Sequence, residues 1–149
     1  RHLDVYAAPR RGIAIGGTTF ASALTLAAAR ATLEEVLTPA GYARIAQLGG
    51  RLADGLEALI AARGLPWRAF RYGPRSGFCF TPELPLNVRS AQPSADQDFS
   101  DARRVFMANR GIWEAIASAG PQVSFAHDAA DIDRYLAVAD AFLGELLAG

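Results

Sequence analysis

Residues 39–62 restrict the folds open to this chain more than any other stretch. Tyr42, Ile45, Leu48, Leu52, Leu56, Leu59 and Ile60 recur there at helical spacing, and Arg44, Gln47, Arg51, Asp54 and Glu57 fall between them. The pattern is an amphipathic helix with one apolar stripe and one solvated face. Thr38 is a good N-cap residue and Pro39 suits the first helical position. Arg63-Gly64 ends the run with a cation and a glycine suited to the position after the cap. Gly49-Gly50 in its middle lowers helix propensity, so another element packs closely there or the helix bends. A helix this long with one apolar face needs other elements laid across it, so the chain reads as a packed domain.

Residues 20–37 form a second helical pattern, with Phe20, Leu24, Ala27, Ala28, Ala31 and Val36 at helix spacing. Polar residues are few before Arg30, so its first half wants partners on several sides, such as a second domain or subunit. Residues 67–72 and 76–80 are aromatic-rich and read as strands joined by Tyr72-Gly73-Pro74-Arg75. Residues 81–94, with Pro82, Pro85 and Pro93, read as a loop. A helix over 96–109 would turn Phe99, Ala102, Val105 and Phe106 inward and Asp101, Arg103 and Arg104 outward. Residues 111–114 and 121–125 suggest two further strands around Ser118-Ala119-Gly120. The last helix starts at an Asp128 N-cap with Asp131 three residues on, a weaker form of the capping box. The order predicts an α+β fold, with helices packed on one face of a short, mainly antiparallel sheet.

At 149 residues, 51% hydrophobic and 20% charged, the chain suits one globular domain. Its fifteen acidic and fifteen basic residues cancel and neither sign clusters, which argues against a nucleic-acid face or an anionic-membrane patch. No apolar run reaches membrane-spanning length. Cys79 is the one cysteine, so no internal disulfide can form and a reducing, cytoplasmic setting is expected. Between Phe78 and Phe80 it reads as a core thiol. Every cation is an arginine and lysine is absent. The sequence opens at Arg1 and its one methionine is Met107, so a piece of a longer protein is expected.

The candidate chemistry is sparse. Ile13-Ala14-Ile15 runs into Gly16-Gly17-Thr18-Thr19 and then into the alanine-rich helix. Such a junction admits two readings: Thr18, Thr19 or Ser22 caps the helix, or glycine backbone, threonine hydroxyls and free helix N–H groups together receive an anion. The local pattern favours the cap. His2 and His127 lack metal-type spacing or a nearby Cys or Asp grouping, and His127 reads as a cap-region residue. Glu34-Glu35 and the Asp131, Asp133 pair read as solvated surface. Ser22 and Ser76 have no histidine base at a recognisable spacing. Arg71 and Arg75 flank a tight turn and have the chemistry to hold a carboxylate. The residues by themselves provide no catalytic set and no metal site.

Gly17-Thr18-Thr19-Phe20-Ala21-Ser22-Ala23-Leu24, with the helix that follows, resembles the segment after the catalytic lysine of class III aminotransferases. Leu48-Gly49-Gly50-Arg51-Leu52-Ala53-Asp54-Gly55-Leu56 is similar to the family's LGxRLxxGL helix. Arg71-Tyr72-Gly73 through Gly77-Phe78-Cys79-Phe80 resembles its glycine-serine hairpin, and Asn109-Arg110-Gly111-Ile112-Trp113 its RGV motif. Ser124-Phe125-Ala126-His127 through Asp131-Ile132-Asp133 is similar to its closing motif. The likeness is collinear over nearly the whole chain and is strongest to the glutamate-1-semialdehyde aminomutase-like branch.

The resemblance implies the C-terminal part of a fold type I, pyridoxal-5′-phosphate-dependent aminotransferase or aminomutase acting as a homodimer on a small amino acid, keto acid or aldehyde. Residues 1–19 would be the edge of the cofactor domain, 20–37 a connecting helix and 38–149 the C-terminal α+β domain. Gly17 N–H, with the N–H and hydroxyl of Thr18, would reach the phosphate of the partner subunit's cofactor. The Schiff-base lysine would lie upstream of Arg1, so the piece alone would be inactive. Ser22-Ala23 stands where the family usually has Asn-Pro, and Pro74-Arg75 where it has Ser-Met. Two alternatives remain: a non-catalytic α+β binding or dimerisation module, and a lyase or racemase on the same scaffold.

Overall fold

The computed structural model describes Gly17 and residues 22–91, 96–114 and 120–148. The chain divides into two compact units, residues 1–38 and 39–149.

In the first unit, helix α1 spans Ala23–Ala31 and closes in a π-helical turn over Thr32–Val36. Ser22 is extended, and its Oγ accepts the Thr25 N–H at 3.2 Å, so α1 starts at Ala23; Phe20, where the periodicity begins, lies outside the described residues. At the other end the Thr32 hydroxyl donates to the Ala28 carbonyl at 2.9 Å, a back-bond that competes with the helical ladder. The ladder then widens, with Leu37 N–H reaching the Thr32 carbonyl at 2.9 Å. None of the α1 residues is buried within this chain.

In the second unit, α2 (Pro39–Ala62) is the axis on which the rest is assembled. It starts at Pro39, as the Thr38-Pro39 pair predicts, and ends in a Schellman motif. Gly64 adopts φ +60° there, its N–H bonds Ala61 O at 3.1 Å, and Leu65 N–H bonds Ile60 O at 3.2 Å. Strands β1 (Arg68–Tyr72) and β2 (Arg75–Cys79) pair antiparallel, with Arg68 opposite Cys79 and Tyr72 opposite Arg75. A one-turn helix α3 (Val88–Ala91) interrupts the expected loop, held by reciprocal Asn87 and Ser90 bonds. Helices α4 (Gln97–Asn109) and α5 (Ala129–Ala148) complete the unit. The α2 helix packs on both strands and on α5, and α4 packs on α5. The core joins Ile45, Leu48, Leu52 and Leu56 of α2 with Met107, Val123, Ile132, Tyr135 and Ala139.

The glycine pair of α2 is explained by close approach. A Cβ on Gly49 would stand 2.9 Å from the Gly73 carbonyl oxygen in the β1–β2 turn, and one on Gly50 would stand 2.9 Å from Nη1 of Arg71. Around that contact Ser76 Oγ donates to the Gly49 carbonyl at 3.3 Å and Arg71 to the Ala46 carbonyl at 2.6 Å. Farther along, the Glu57 carboxylate accepts the Ala69 N–H at 2.7 Å and fixes the start of β1.

Two sequence expectations need correction. Among the described residues the sheet has two strands, and residues 111–114 and 121–125 form none. The second of these comes close: Ser76 N–H bonds Pro121 O at 3.1 Å and Val123 N–H bonds Pro74 O at 2.9 Å, a single bridge beside β2. Pro121 has no N–H with which to extend that ladder. The first stays against the end of α4, where Ile112 N–H bonds Met107 O at 2.9 Å. In α4 itself Arg103 and Met107 face inward while Ala102 and Val105 are exposed, so the buried stripe is rotated from the expected one.

Candidate functional site

Gly17 is exposed, and Gly16, Thr18 and Thr19 lie outside the described residues. The helix that follows opens four positions after Thr18, at the Ser22 cap. Ser22 Oγ also lies 2.7 Å from Thr25 Oγ1, so the capping role falls to Ser22. A helix dipole acts mainly within its first turn. The anion-binding reading therefore rests on the glycine backbone and the Thr18 hydroxyl more than on α1. The first turn of α1 carries no acidic residue that would repel an anion.

Most of the other sequence-derived candidates are occupied by structural work. The Arg71 guanidinium is spent on the Ala46 and Gly73 carbonyls, and Arg75 points into solvent beside the turn. His127 Nδ1 accepts the Ser124 N–H at 3.0 Å, which fixes the turn ahead of α5. Arg44 clasps the carbonyls of Phe125 and His127 across that turn. Asp128 and Asp131 form the reciprocal cap: Asp131 N–H reaches Asp128 Oδ1 at 3.1 Å, and Asp128 N–H reaches Asp131 Oδ2 at 3.0 Å. Asp133 pairs with Arg51, and Glu34 with Arg30, both in solvent. Cys79 is buried, its Sγ near the Arg68, Thr81 and Glu83 carbonyls. Among the described residues no group of His, Cys, Asp and Glu is arranged to hold a metal ion.

A buried ionic triad was not foreseen from the sequence. Arg103 of α4 donates to Glu114 Oε2 at 2.9 Å, and Tyr135 of α5 donates its hydroxyl to Glu114 Oε1 at 2.7 Å. The Arg103 and Glu114 side chains are 9% and 3% exposed. Burial, and then the Glu114 charge, push the Tyr135 phenol well above the ordinary tyrosine range. The signal available in the sequence was the helical spacing of Phe99, Arg103 and Phe106 on one face, outvoted there by the charge of arginine.

Two cavities flank this triad. One, about 370 Å³, is lined by Glu114, Gln122, His127, Asp131, Arg134 and Tyr135 among others. The other, about 610 Å³, is walled by Phe70, Phe78, Phe80, Leu84 and Phe99, with Arg103 at its base.

No protein-family model matches the chain. Individual proteins do. It is 31% identical over 140 residues to the glutamate-1-semialdehyde 2,1-aminomutase of Bacillus subtilis (strain 168), a match covering 93% of this chain and 32% of that protein. It is 33% identical over 134 residues to the enzyme of that name from Paracidovorax citrulli (strain AAC00-1), covering 89% and 30%. The fold superposes on a glutamate-1-semialdehyde aminomutase from Pseudomonas aeruginosa PAO1, crystallised with PMP, with a TM-score of 0.82 and 30% identity, covering 97% of this chain and 33% of that one. A β-phenylalanine aminotransferase from Variovorax paradoxus follows at a TM-score of 0.78 and 25% identity, with 98% and 34% covered. The chain thus spans about a third of the length of the relatives it matches. Its small antiparallel hairpin packed with long helices matches the C-terminal domain of fold type I pyridoxal-phosphate enzymes, and the homologues and structure neighbours of the chain are glutamate-1-semialdehyde 2,1-aminomutases and class III aminotransferases.

Proposed function

We propose that this chain is the C-terminal piece of a pyridoxal-5′-phosphate-dependent class III aminotransferase or aminomutase that moves an amino group on a small amino acid, keto acid or aldehyde. The observation that carries the proposal is the collinear match to aminomutases over 93% of the chain, together with the superposition on one of them. In this reading residues 1–19 are the edge of the cofactor domain, 20–37 the connecting helix and 38–149 the C-terminal domain. The lone buried Cys79 supports a reducing, cytoplasmic setting. Among the described residues no helix is long and apolar enough to cross a membrane.

The donor set suits the phosphate of the cofactor. Gly17 is exposed with no Cβ to hold a ligand off, and Thr18 adds a hydroxyl and a second N–H. Neutral donors of this kind receive a dianion without a cation beside them. The cofactor supplies the electron sink for amino-group chemistry when bound. The residues of this chain would hold its phosphate, from across a homodimer interface. The chain has no lysine, so the covalent anchor must come from outside it. A dimer also supplies cover for Leu24, Leu26, Leu33 and Val36, all exposed on α1 and the turn after it.

The longer protein that contains this chain is expected to retain pyridoxal phosphate through dialysis, read from its visible spectrum; a longer protein that retains none would overturn the reading. In the longer protein, Thr18→Val is expected to weaken cofactor retention roughly tenfold, about what one charge-assisted hydrogen bond is worth. Unchanged retention would remove Thr18 from the phosphate site.

A further inference from the structure

We propose that the cavity of about 610 Å³ beside the hairpin is a binding site for a small, uncharged, planar aromatic molecule. The proposal does not rest on the cofactor reading, because every residue it uses lies in the 39–149 unit. The volume falls within the usual range for ligand pockets, roughly 300–1,000 Å³, and the wall has their usual make-up, aromatic with a few polar groups.

Three rings of the wall pack edge to face. Phe80 and Phe99 centroids are 4.9 Å apart at 76°, and Phe78 and Phe99 are 5.9 Å apart at 85°. Trp67 stacks flat behind Phe78 at 5.4 Å and 7°, and Phe142 meets Phe99 from α5 at 5.3 Å. The rings are thereby held in place before any guest arrives, which lowers the entropy cost of binding. Such rings accept another aromatic in the same offset or edge-to-face manner. The polarisable Cys79 sulfur completes that side.

Charge selects against ionised guests. Arg103 lies in the wall with its guanidinium 5.7 Å from the Phe78 centroid, and Glu114 neutralises it at 2.9 Å. Asp96 at the rim is likewise matched, as the N-cap of α4 whose carboxylate accepts the Phe99 N–H at 2.9 Å. An organic cation or anion would therefore give up its hydration without meeting an unmatched counter-charge. A neutral guest disturbs neither pair. Ser100 and Gln97, also on the wall, leave room for a single hydrogen bond to an N–H or hydroxyl.

Indole, tryptamine and indole-3-acetate share one ring system and differ in charge, and they make the test. Titrated into the intact chain, with Gly77 and Phe99 amide resonances followed by NMR and the heat by calorimetry, indole is expected to saturate. Its affinity should exceed that of either charged analogue by at least about tenfold, or 1.4 kcal/mol. Leu84 lines the cavity yet is 44% exposed, so a change there leaves the core intact. Both Leu84→Trp, which fills the mouth, and Leu84→Asp, which charges it, should weaken indole about tenfold at an unchanged melting temperature. No saturation up to the solubility limit of indole, or affinity untouched by both variants, overturns the site. Tighter binding of tryptamine or indole-3-acetate overturns its neutral character.

Discussion

Helices α1 and α2 are drawn from the same stock of residues, chiefly alanine and leucine, and end in opposite circumstances. Eight residues of α2 are buried, and none of α1 is. Propensity explains why both are helical, since alanine and leucine favour that state wherever they stand. It does not explain the difference. In α2 the leucines recur on one stripe and arginines and acids fill the rest, so one face can be buried while the other stays wet. In α1 the apolar residues run around the axis, and nine residues fall short of the length, roughly 12–15, at which a helix persists on propensity alone. Burial is thus a property of the partner, and α1 has none among the described residues of its own unit.

The sharpest way to break this comparison is to attack the interior that α1 lacks. Arg103→Met strands the buried Glu114 charge and should cost about 3–5 kcal/mol in urea unfolding. Adding Glu114→Leu together with Tyr135→Phe should recover most of it, because the whole triad is then replaced by apolar packing and no buried hydroxyl is left without its acceptor. A loss under ~1 kcal/mol would mean that water reaches the triad.

Leucine truncation compares the two helices directly. Leu56, 2% exposed, should lose about 2–5 kcal/mol on change to alanine. Leu26→Ala in α1 should stay within about 0.5 kcal/mol. Equal losses, measured in this chain, would show that the α1 face is covered after all.

Tyr135→Phe removes one hydrogen bond to a buried carboxylate, worth about 1–2 kcal/mol. It should also change the alkaline limb of stability. The phenol holds its proton more tightly folded than unfolded, so its contribution is intact below pH ~10, the unfolded value, and is lost as pH rises from there towards the folded one. The variant should lack that component, and an identical alkaline slope would contradict the upward shift. Smallest of all, Arg51→Ala breaks an exposed ion pair with Asp133 and should cost under ~1 kcal/mol, less still in high salt.

The sequence was legible where the signals were local. Thr38-Pro39 and Arg63-Gly64 bounded α2, Asp128 and Asp131 set the start of α5, and the Gly73-Pro74 turn set the hairpin. It was opaque where the answer lay in a partner distant along the chain. Arg103 reads as surface until Glu114 and Tyr135 are brought against it, and residues 121–125 read as a strand until Pro121 limits their pairing to one bridge. The candidate site was visible only through family resemblance. Gly17 and Thr18 have no local pattern that separates a phosphate contact from a helix cap, and the cap proved to be Ser22.

The fit of Gly49 against the Gly73 carbonyl has a bearing on how this domain can vary. The hairpin turn is seated in a notch one side-chain deep on the longest helix, with Arg71 and Ser76 pinning it from either strand. A longer turn would lift that seat, and any side chain at Gly49 would fill it. Length variation is therefore excluded at this corner of the molecule, and engineered insertions, tags or loop grafts belong elsewhere, such as the exposed stretch around Leu86 and Val88.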